Sequence, residues 1–389
     1  GSTYDNRFYP NFSGVARSYN FYPHPPMQPQ DGAVSVALGL GTAVVEGDFG
    51  VRFCPRYPRH LLQFSAIEDT LRYSQRDFQA LALNAETRQG DGLQETNLVH
   101  CGLDVAERDG TLWHVASTYS RENDAVYDGL SRDGVRLVTF APILKNRLFP
   151  LAEILNVVLD MGAWGMGTPV EVEFAVNLAV QPAERSEVAL LQMRPLVTTR
   201  EFEELSIGDV SEEEAICMSA RVLGHGILDH IQDIVMVDPD RFRRDRSREV
   251  AREVTRFNAD LVAARRPYLL IGVGRWGSAD PWLGIPVTWE QIAGARAVVE
   301  SSFRDFEVTP SQGSHFFQNI ISSRVGYFTV SSALSGGFID WNWLRYQPAI
   351  DTGQYVKHIR LDGPIVIKMD GRTGRGVIHK PRPHIPAFR

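Results

Sequence analysis

Two neighbouring stretches of the chain read as paired β-strands, and this pairing constrains the fold more than any other feature. Residues 170–176 read V-E-V-E-F-A-V and residues 188–193 read V-A-L-L-Q-M. Successive side chains of a strand point to opposite faces, so the alternation in the first stretch predicts one apolar and one polar face. A polar loop containing residues 181–185 separates the stretches and favours an antiparallel hairpin.

The polar positions of this hairpin combine oxygen ligands with a guanidinium group. Alternation puts Glu171 and Glu173 on one face of the first strand, and Gln192 and Arg194 on one face of the second. Carboxylate and amide oxygens suit Mg²⁺, and arginine binds phosphate bidentately, so a Mg²⁺–nucleotide site is one interpretation. The other is a solvated sheet face with cross-strand Glu–Arg pairs, and the spacing alone favours this second interpretation.

Length, composition and charge narrow the class of protein. At about 150 residues per domain, a chain of 389 residues holds two or three domains. Its 43% hydrophobic and 22% charged residues are typical of globular proteins and argue against disorder or a coiled coil. The net charge of −7 argues against a nucleic-acid partner, which needs a basic surface. No apolar run approaches the roughly 18 residues of a membrane span, so no membrane partner is expected.

Neither the cysteines nor the clustered arginines mark a metal or nucleic-acid site. Cys54, Cys101 and Cys217 lie far apart and lack C-x-x-C spacing, which favours a reduced, cytoplasmic setting. The basic run R-F-R-R-D-R-S-R at residues 241–248 contains an aspartate and precedes a helical pattern. It is therefore interpreted as the solvated start of a helix.

Several short motifs over roughly residues 10–200 follow one another in an order typical of one enzyme family. They are S-G-V at 13–15, G-L-G-T-A-V-V-E-G at 39–47, E-F-A at 173–175 and L-Q-M-R-P at 191–195. Together they resemble the nucleotide-binding domain of the phosphoenolpyruvate synthase and pyruvate phosphate dikinase family. In that family the corresponding stretches are S-G-V, G-L-G-E-x-V-V-x-G, an acidic residue before an aromatic one, and L-Q-x-R-P.

The resemblance implies an ATP-grasp fold with ATP and Mg²⁺ as ligands. It assigns the metal and nucleotide to Glu173 and Gln192, and a phosphate contact to Arg194. Thr42 stands where the family has a glutamate, so one family contact to the nucleotide is missing from this sequence. The family's first lobe should precede the S-G-V motif and is not part of this chain. We therefore expect the later part of a nucleotide-binding domain, with the remaining domains of a longer protein as partners.

The second half of the chain contains a glycine-rich loop. G-V-G-R-W-G at 272–277 follows a buried-type strand at 267–273. A dinucleotide fingerprint must open directly into a helix, but the next helix signal is a capping box at 288–291, which predicts a helix to about residue 306. The dinucleotide interpretation is therefore rejected.

The same loop remains a candidate for binding an anion. Arg275, Ser278 and free backbone N–H groups are suited to phosphate or carboxylate. A purely structural turn around buried Trp276 and Trp282 explains the sequence equally well.

A histidine is the candidate catalytic residue of this half. S-Q-G-S-H-F-F-Q-N at 311–319 and M-D-G-R-T-G-R-G-V at 369–377 distantly resemble the family's phosphohistidine domain. The resemblance implies that His315 is a phosphocarrier, although two phenylalanines follow it where the family has two alanines. A structural histidine is the alternative, and His225, in L-G-H-G, is expected to be exposed on a turn.

The sequence thus predicts an α/β (α+β) protein. An ATP-grasp-like partial domain is expected at residues 3–200, followed by a mixed α/β domain at 205–389. A divergent swivelling phosphohistidine-like domain is one interpretation of the latter. The expected function is part of an ATP-dependent phosphotransferase whose acceptor is a small molecule such as pyruvate or a sugar, or another protein. The alternative is a non-catalytic regulatory or scaffolding segment of a larger protein.

Overall fold

The computed structural model describes residues 2–4, 6–41, 50–83, 97–179, 185–196, 205, 207–278, 280, 282–302, 315–331 and 337–381. The chain forms two compact units of mixed α/β structure, rich in sheet. Unit 1 consists of Gly1–Asn20 and Pro26–Val197, and unit 2 of Phe21–Pro25 and Thr198–Arg389. The domain ranges predicted from the sequence place Phe21–Pro25 in the first domain, whereas this segment packs with unit 2.

The described residues of unit 1 form three antiparallel sheets, with strand orders β1-β2-β6-β7, β10-β8-β9 and β12-β11-β3-β4-β5. Its strands are β1 Ser2–Tyr4, β2 Arg7–Tyr9, β3 Phe12–Arg17, β4 Ala33–Leu38, β5 Val51–Phe53, β6 Asp77–Ala82, β7 Leu98–Gly102, β8 Ala116–Ser120, β9 Ala125–Asp128, β10 Val135–Val138, β11 Val170–Asn177 and β12 Glu187–Pro195. Its α-helices are α1 Ile67–Tyr73, α2 Leu103–Arg108, α3 Ala141–Leu144 and α4 Leu151–Met166.

The five-stranded sheet of unit 1 has one apolar face, against which α4 packs. Val170, Val172, Phe174 and Val176 alternate along β11 and are 0% exposed. Residues at four-residue spacing form the buried side of α4, including Leu151, Leu155 and Leu159. The predicted hairpin is confirmed, because β11 pairs antiparallel with β12. The opposite face of this sheet is therefore the polar one.

Among the described residues, unit 2 contains one large mixed sheet with the path β14-β20-β19-β16-β15-β23-β24-β13-β21, in which β22 pairs with β23, and a separate parallel pair of β17 and β18. Its strands are β13 Ala215–Ser219, β14 Val222–Leu223, β15 Gly226–Val237, β16 Tyr268–Val273, β17 Arg275–Trp276, β18 Gly284–Ile285, β19 Ala295–Ser301, β20 Gly326–Val330, β21 Phe338–Ile339, β22 Ala349–Thr352, β23 Val356–Asp370 and β24 Arg375–His379. Its α-helices are α5 Ser247–Ala263, α6 His315–Ser322 and α7 Trp341–Tyr346.

The centre of the unit 2 sheet is parallel. β15, β16, β19 and β20 run in the same direction, and α5 connects β15 to β16 while α6 connects β19 to β20. Both helices pack on one face of the sheet, and α5 and β16 confirm the helix and strand predicted there. Within the described ranges, no helix is both long and apolar enough to cross a membrane.

The helix predicted to begin at Thr288 is wrong. Part of its capping box forms, since the Thr288 N–H donates to Gln291 Oε1 at 2.8 Å. Only a turn follows, and the residues after it form β19, which reads A-R-A-V-V-E-S. This strand lies between β16 and β20 and is almost entirely buried. Pairing on both edges and burial of its valines outweigh the local helix signal.

A buried aspartate joins the strands at one side of the parallel region. Asp233 on β15 is 1% exposed. Its carboxylate accepts hydrogen bonds from Arg266 Nε at 2.8 Å, Arg360 Nε at 3.0 Å and His358 Nε2 at 2.8 Å. Burial raises the pKa of Asp233, but these three donors outweigh burial and lower the pKa to about 2. The ionised carboxylate therefore stabilises unit 2 at neutral pH.

We predict that Asp233→Asn lowers the free energy of unfolding by about 2 kcal/mol at pH 7, because the ion pairs are lost while the shape is kept. The lowered pKa means that this contribution exists above the ordinary aspartate pKa of 3.8 and disappears as the pH falls towards 2. The difference between variant and wild type in urea unfolding should therefore shrink below pH 4.

Asp351→Asn is the matched control, since Asp351 pairs with Arg256 at 2.7 Å but both side chains are almost half exposed. We expect this solvent-screened pair to contribute much less to the free energy of unfolding than the buried network around Asp233. An equal loss of stability in the two variants would contradict the assignment of the buried network.

Candidate functional site

The polar face of the five-stranded sheet in unit 1 collects the residues predicted for a nucleotide site. Strand register places Glu171 directly between Arg17 on β3 and Arg194 on β12. One pair further along, Glu173 lies opposite Gln192. The structure therefore brings the sequence-predicted residues Glu173, Gln192 and Arg194 together on adjacent strands.

Glu171 is the anchor of this face. Its carboxylate is buried and accepts hydrogen bonds from Arg17 Nε at 2.6 Å and from Arg194 Nε at 2.9 Å. Burial raises the pKa of Glu171, but the charge of Arg17 and the hydrogen bonds from both arginines outweigh burial, and the pKa lies below its usual value. Glu171 is thus an ionised group held in place, and it is not available as a ligand.

Two arginines and two glutamates share this part of the face, so their formal charges balance. Glu171 lies between Arg17 and Arg194, Glu173 contributes to the field at Arg194, and the Arg194 side chain remains 59% exposed. An exposed guanidinium oriented by a buried carboxylate is suited to bidentate contact with a phosphate. The interpretation as cross-strand Glu–Arg pairs therefore holds for Glu171 and Arg194, and the exposed part of the Arg194 guanidinium remains accessible to an anion.

Arg17 is a site residue that the sequence interpretation missed. It lies two residues beyond the S-G-V motif, and alternation along β3 places Ser13, Val15 and Arg17 on the same face. That alternation is visible in the sequence. The pairing partner, however, is Glu171, 154 residues further along the chain. The sequence alone does not show that β3 and β11 are neighbours in the sheet, so the pairing of Arg17 with Glu171 was not predicted.

Glu173 and Gln192 provide the oxygens of the site. Glu173 is half-buried and Gln192 is exposed on the edge strand β12. The pairing register changes immediately after them, because Gln192 faces Glu173 while Leu190 faces Phe174, which leaves Leu191 as an extra residue. Such β-bulges redirect side chains and are frequent next to active sites.

The number of oxygens limits the kind of metal site. In the described part of the chain, no three His, Cys, Asp or Glu side chains form a group that could hold a metal ion. Glu173 and Gln192 by themselves would offer a metal ion only two oxygen-bearing side chains. Mg²⁺ is commonly bound by one or two protein carboxylates together with substrate phosphates and water, so this pair fits a metal that arrives with a nucleotide.

The G-L-G motif lies beside the same sheet. Gly39 has φ +81°, and the Ser13 hydroxyl donates a hydrogen bond to its carbonyl oxygen at 2.7 Å. A Cβ on Gly39 would come within 2.7 Å of the Gln79 carbonyl oxygen, so this position requires glycine. Thr42 and the rest of the motif, residues 42–47, lie outside the described residues.

The two side chains predicted to bind an anion in unit 2, Arg275 and Ser278, differ in their contacts and exposure. The Ser278 hydroxyl donates to the Asp280 carbonyl oxygen at 2.8 Å, so its proton serves the turn. Arg275 is partly exposed at the carboxyl end of β16. Of the two tryptophans expected to be buried, Trp276 is 0% exposed and Trp282 is 60% exposed. The structural turn therefore rests on Trp276, and Arg275 remains the anion candidate.

The two histidines have different environments. His315 is the first residue of α6, and its side chain lies outside the described part of the structure. His225 was expected to be exposed, but its side chain is 5% exposed. Its ring stacks on Phe21, with ring centroids 4.7 Å apart, which explains the burial.

No protein-family model matches this chain, and no curated protein matches its sequence at a significant level. The resemblance to the phosphoenolpyruvate synthase family therefore rests on the short motifs alone. Three of these motifs, at 13–15, 173–175 and 191–195, lie on adjacent strands of one sheet, which is a separate, geometric observation.

We predict that Glu171→Gln destabilises unit 1 by about 3 kcal/mol, because it leaves two arginines without the buried charge that pairs them. Since the pKa of Glu171 is lowered, its contribution exists at neutral pH and is lost as the pH falls below the usual glutamate range. Urea unfolding at pH 7 measures the effect. Glu153→Gln, which changes an exposed pair with Arg147 at 4.0 Å, should leave stability within about 0.5 kcal/mol of wild type.

Proposed function

We propose that unit 1 binds a Mg²⁺–nucleotide on the polar face of its five-stranded sheet, as part of an ATP-dependent phosphotransferase related to phosphoenolpyruvate synthase. The observation that carries this proposal is the pairing of Glu171 with Arg194 and of Glu173 with Gln192 across β11 and β12. The pairing joins the E-F-A and L-Q-M-R-P motifs into one surface. An ATP-grasp-like arrangement of this unit is part of the same proposal.

Each residue has a distinct role in this site. Glu173 and Gln192 offer hard oxygen ligands to Mg²⁺, and Arg194 offers its exposed guanidinium to a phosphate. Arg17 and Glu171 act as positioning residues, since Glu171, held by Arg17, accepts a hydrogen bond from Arg194 Nε and orients its guanidinium. Bound ATP supplies the phosphoryl group, whose transfer depends mainly on positioning and on neutralisation of charge.

Arg194 and Glu173 carry opposite charges at neighbouring positions of the sheet, and this arrangement suits a ligand that also carries both signs of charge. A phosphate chain with its metal carries both signs of charge within a few ångströms. Arg194 and Glu173 present one positive and one negative group on neighbouring strands, on the same side of the sheet. A nucleotide whose phosphates contact Arg194 would place its metal next to Glu173 and Gln192.

His315 and the acceptor complete the proposal. His315 is the first residue of α6, the helix that follows β19 in the parallel sheet. Ligands of parallel α/β sheets bind at the carboxyl ends of the strands. We propose His315 as the residue that carries the phosphoryl group to the acceptor, and the acceptor's chemistry stays open between pyruvate, a sugar and another protein.

We predict that Glu173→Gln weakens binding of Mg²⁺–ATP about tenfold or more, because an interaction with a charged group contributes about 1.5–3 kcal/mol. Binding of ATP without Mg²⁺ should change much less. Calorimetric titration of the full-length protein measures both, since the resemblance implies that a preceding lobe contributes to the site.

Glu187→Gln is the control for this experiment. Glu187 lies on the same strand as Gln192 and is exposed, but it pairs with Asn177 at the far end of the hairpin. Equal affinities for Mg²⁺–ATP in wild type, the Glu173 variant and this control would show that the metal and nucleotide are bound elsewhere.

We also predict that the full-length protein becomes labelled when it is incubated with γ- or β-labelled ATP. The label should be acid-labile, as expected for a phosphohistidine, and His315→Asn should remove it. A variant at the buried His225 should remain labelled if it folds. Absence of any transfer in the folded wild-type protein would support the alternative, a non-catalytic regulatory or scaffolding segment.

A further inference from the structure

Two arginines share one buried carboxylate in unit 2, and neither belongs to the proposed nucleotide site. The side chain of Asp233 on β15 is 2% exposed, whereas the side chains of Arg266 and Arg360 are 31% and 39% exposed. Together with His358 on β23, these residues form what we call the Asp233 cluster. The parallel pairing of β15 with β16 begins at Asp233, so the cluster lies at the opposite end of β16 from the glycine-rich loop at 272–277.

Asp233 holds the two guanidinium groups through different oxygens. Arg266 Nε donates to Oδ2 at 2.8 Å, and Arg360 Nε donates to Oδ1 at 3.0 Å. Asp233 is ionised at neutral pH, because the donors around it outweigh burial and lower its pKa to about 2. Each arginine is therefore oriented by a charge-assisted hydrogen bond, which is shorter and stronger than a neutral one.

Both arginines keep N–H groups for which the described residues provide no acceptor. Arg360 donates to Asp233 through Nε, and no described residue accepts a hydrogen bond from its two Nη groups. Arg266 also donates from Nη2 to Gln232 Oε1 at 3.4 Å, and its Nη1 has no acceptor in the described part of the chain. Asp233 thus orients both guanidinium groups and occupies only some of their donors.

Positive charge exceeds negative charge within the Asp233 cluster. The described ion pairs of Arg266 and Arg360 are both with Asp233, so two guanidinium groups share one carboxylate. His358 is paired with the same carboxylate, and a histidine adds no negative charge in either protonation state. A single arginine suffices to pair a buried aspartate, so the stability of Asp233 does not require the second one. The second arginine needs another explanation.

The carboxylates that lie near the cluster are engaged with other groups. Asp351 on β22 is opposite His358, and its carboxylate pairs with Arg256 at 2.7 Å. Glu253 on α5 accepts hydrogen bonds from the backbone N–H groups of residues 354–356. In the described structure, neither carboxylate forms an ion pair with an arginine of the cluster. The guanidinium groups therefore remain accessible to an anionic ligand.

Guanidinium groups bind phosphate and carboxylate oxygens through two parallel N–H donors. The two Nη groups of Arg360 provide such a pair, and Arg266 adds Nη1 and a second positive charge. We infer that the Asp233 cluster is a binding site for the oxyanion of a small molecule, in which Arg360 and Arg266 bind a phosphoryl or carboxylate group. The inference does not depend on the nucleotide site of unit 1.

Titration of the full chain with sulfate and with acetate, at neutral pH and constant ionic strength, tests this inference. Sulfate represents a phosphoryl group and acetate represents a carboxylate. Nuclear magnetic resonance of the histidine rings locates the anion, because His358 contacts Asp233 at 2.8 Å, and the His358→Gln variant identifies its signal. We expect the His358 signal to shift with anion concentration until the site is saturated. The anion that binds more tightly identifies the ligand class.

Three variants separate binding by the cluster from general effects of charge. Arg360→Gln should weaken binding about tenfold or more, as expected for a lost hydrogen bond to a charged group. Arg266→Gln should weaken it less, because fewer of its donors are available. Arg345→Gln is the matched control and should bind like wild type, since Arg345 is 35% exposed and pairs with one carboxylate, Asp240, at 2.7 Å.

Urea unfolding of the same variants distinguishes binding from a structural role. In Arg360→Gln, Asp233 keeps Arg266 and His358 as donors, so we expect the protein to fold. If it does not fold, Arg360→Lys replaces it, which keeps the charge and should still bind several-fold more weakly because lysine lacks the planar fork.

Three results would overturn the inference. The first is that neither anion shifts the His358 signal. The second is that a folded Arg360 variant has lower stability and the anion affinity of wild type, which would make Arg360 purely structural. The third is that the Arg345 control loses as much affinity as the Arg360 variant.

Discussion

A carboxyl group buried in a β-sheet must be paired or protonated, and this requirement organises both units. Glu171 and Asp233 are ionised because hydrogen bonds from arginines, and for Asp233 also from His358, outweigh burial and lower their pKa values. Burial raises the pKa of Glu300 to about 7, although the Tyr327 hydroxyl, the Trp276 N–H and the charge of Arg275 oppose the rise. The same side-chain chemistry thus yields fixed charges in two places and a titratable group in a third.

The paired carboxylates also fix the register of the strands. Glu171 connects β3, β11 and β12, and Asp233 connects β15 with β23 and with Arg266 just before β16. A shift of one residue along any of these strands would turn the carboxylate to the opposite face and leave arginines unpaired. The polar face that we propose for nucleotide binding therefore has a defined geometry before any ligand arrives.

Local patterns were sufficient for part of the fold and of the site. The hairpin of β11 and β12 follows from alternation, the helix α5 from its helical pattern and the strand β16 from a continuous apolar run, all of which lie within short segments. The partner of Glu171 on β3 could not be predicted, because Arg17 is 154 residues away in the chain. The helix predicted at Thr288 is wrong for a related reason. Residues 295–301 form β19 because they pair with β16 on one side and β20 on the other, and neither partner is adjacent in the sequence.

The short segment Phe21–Pro25 has a consequence for how the chain acquires its structure. Phe21 stacks on His225, its carbonyl oxygen accepts from the Gly224 N–H at 3.1 Å, and Tyr22 donates to the Val325 carbonyl oxygen at 3.4 Å. These partners are synthesised about 200 to 300 residues later, which at about 5–20 residues per second is a delay of roughly 10–60 s. The side chains of Phe21 and Tyr22 therefore cannot contact these partners until most of the chain has been synthesised. A fragment that starts at Thr198 would contain every strand of the large sheet and still lack the ring that covers His225.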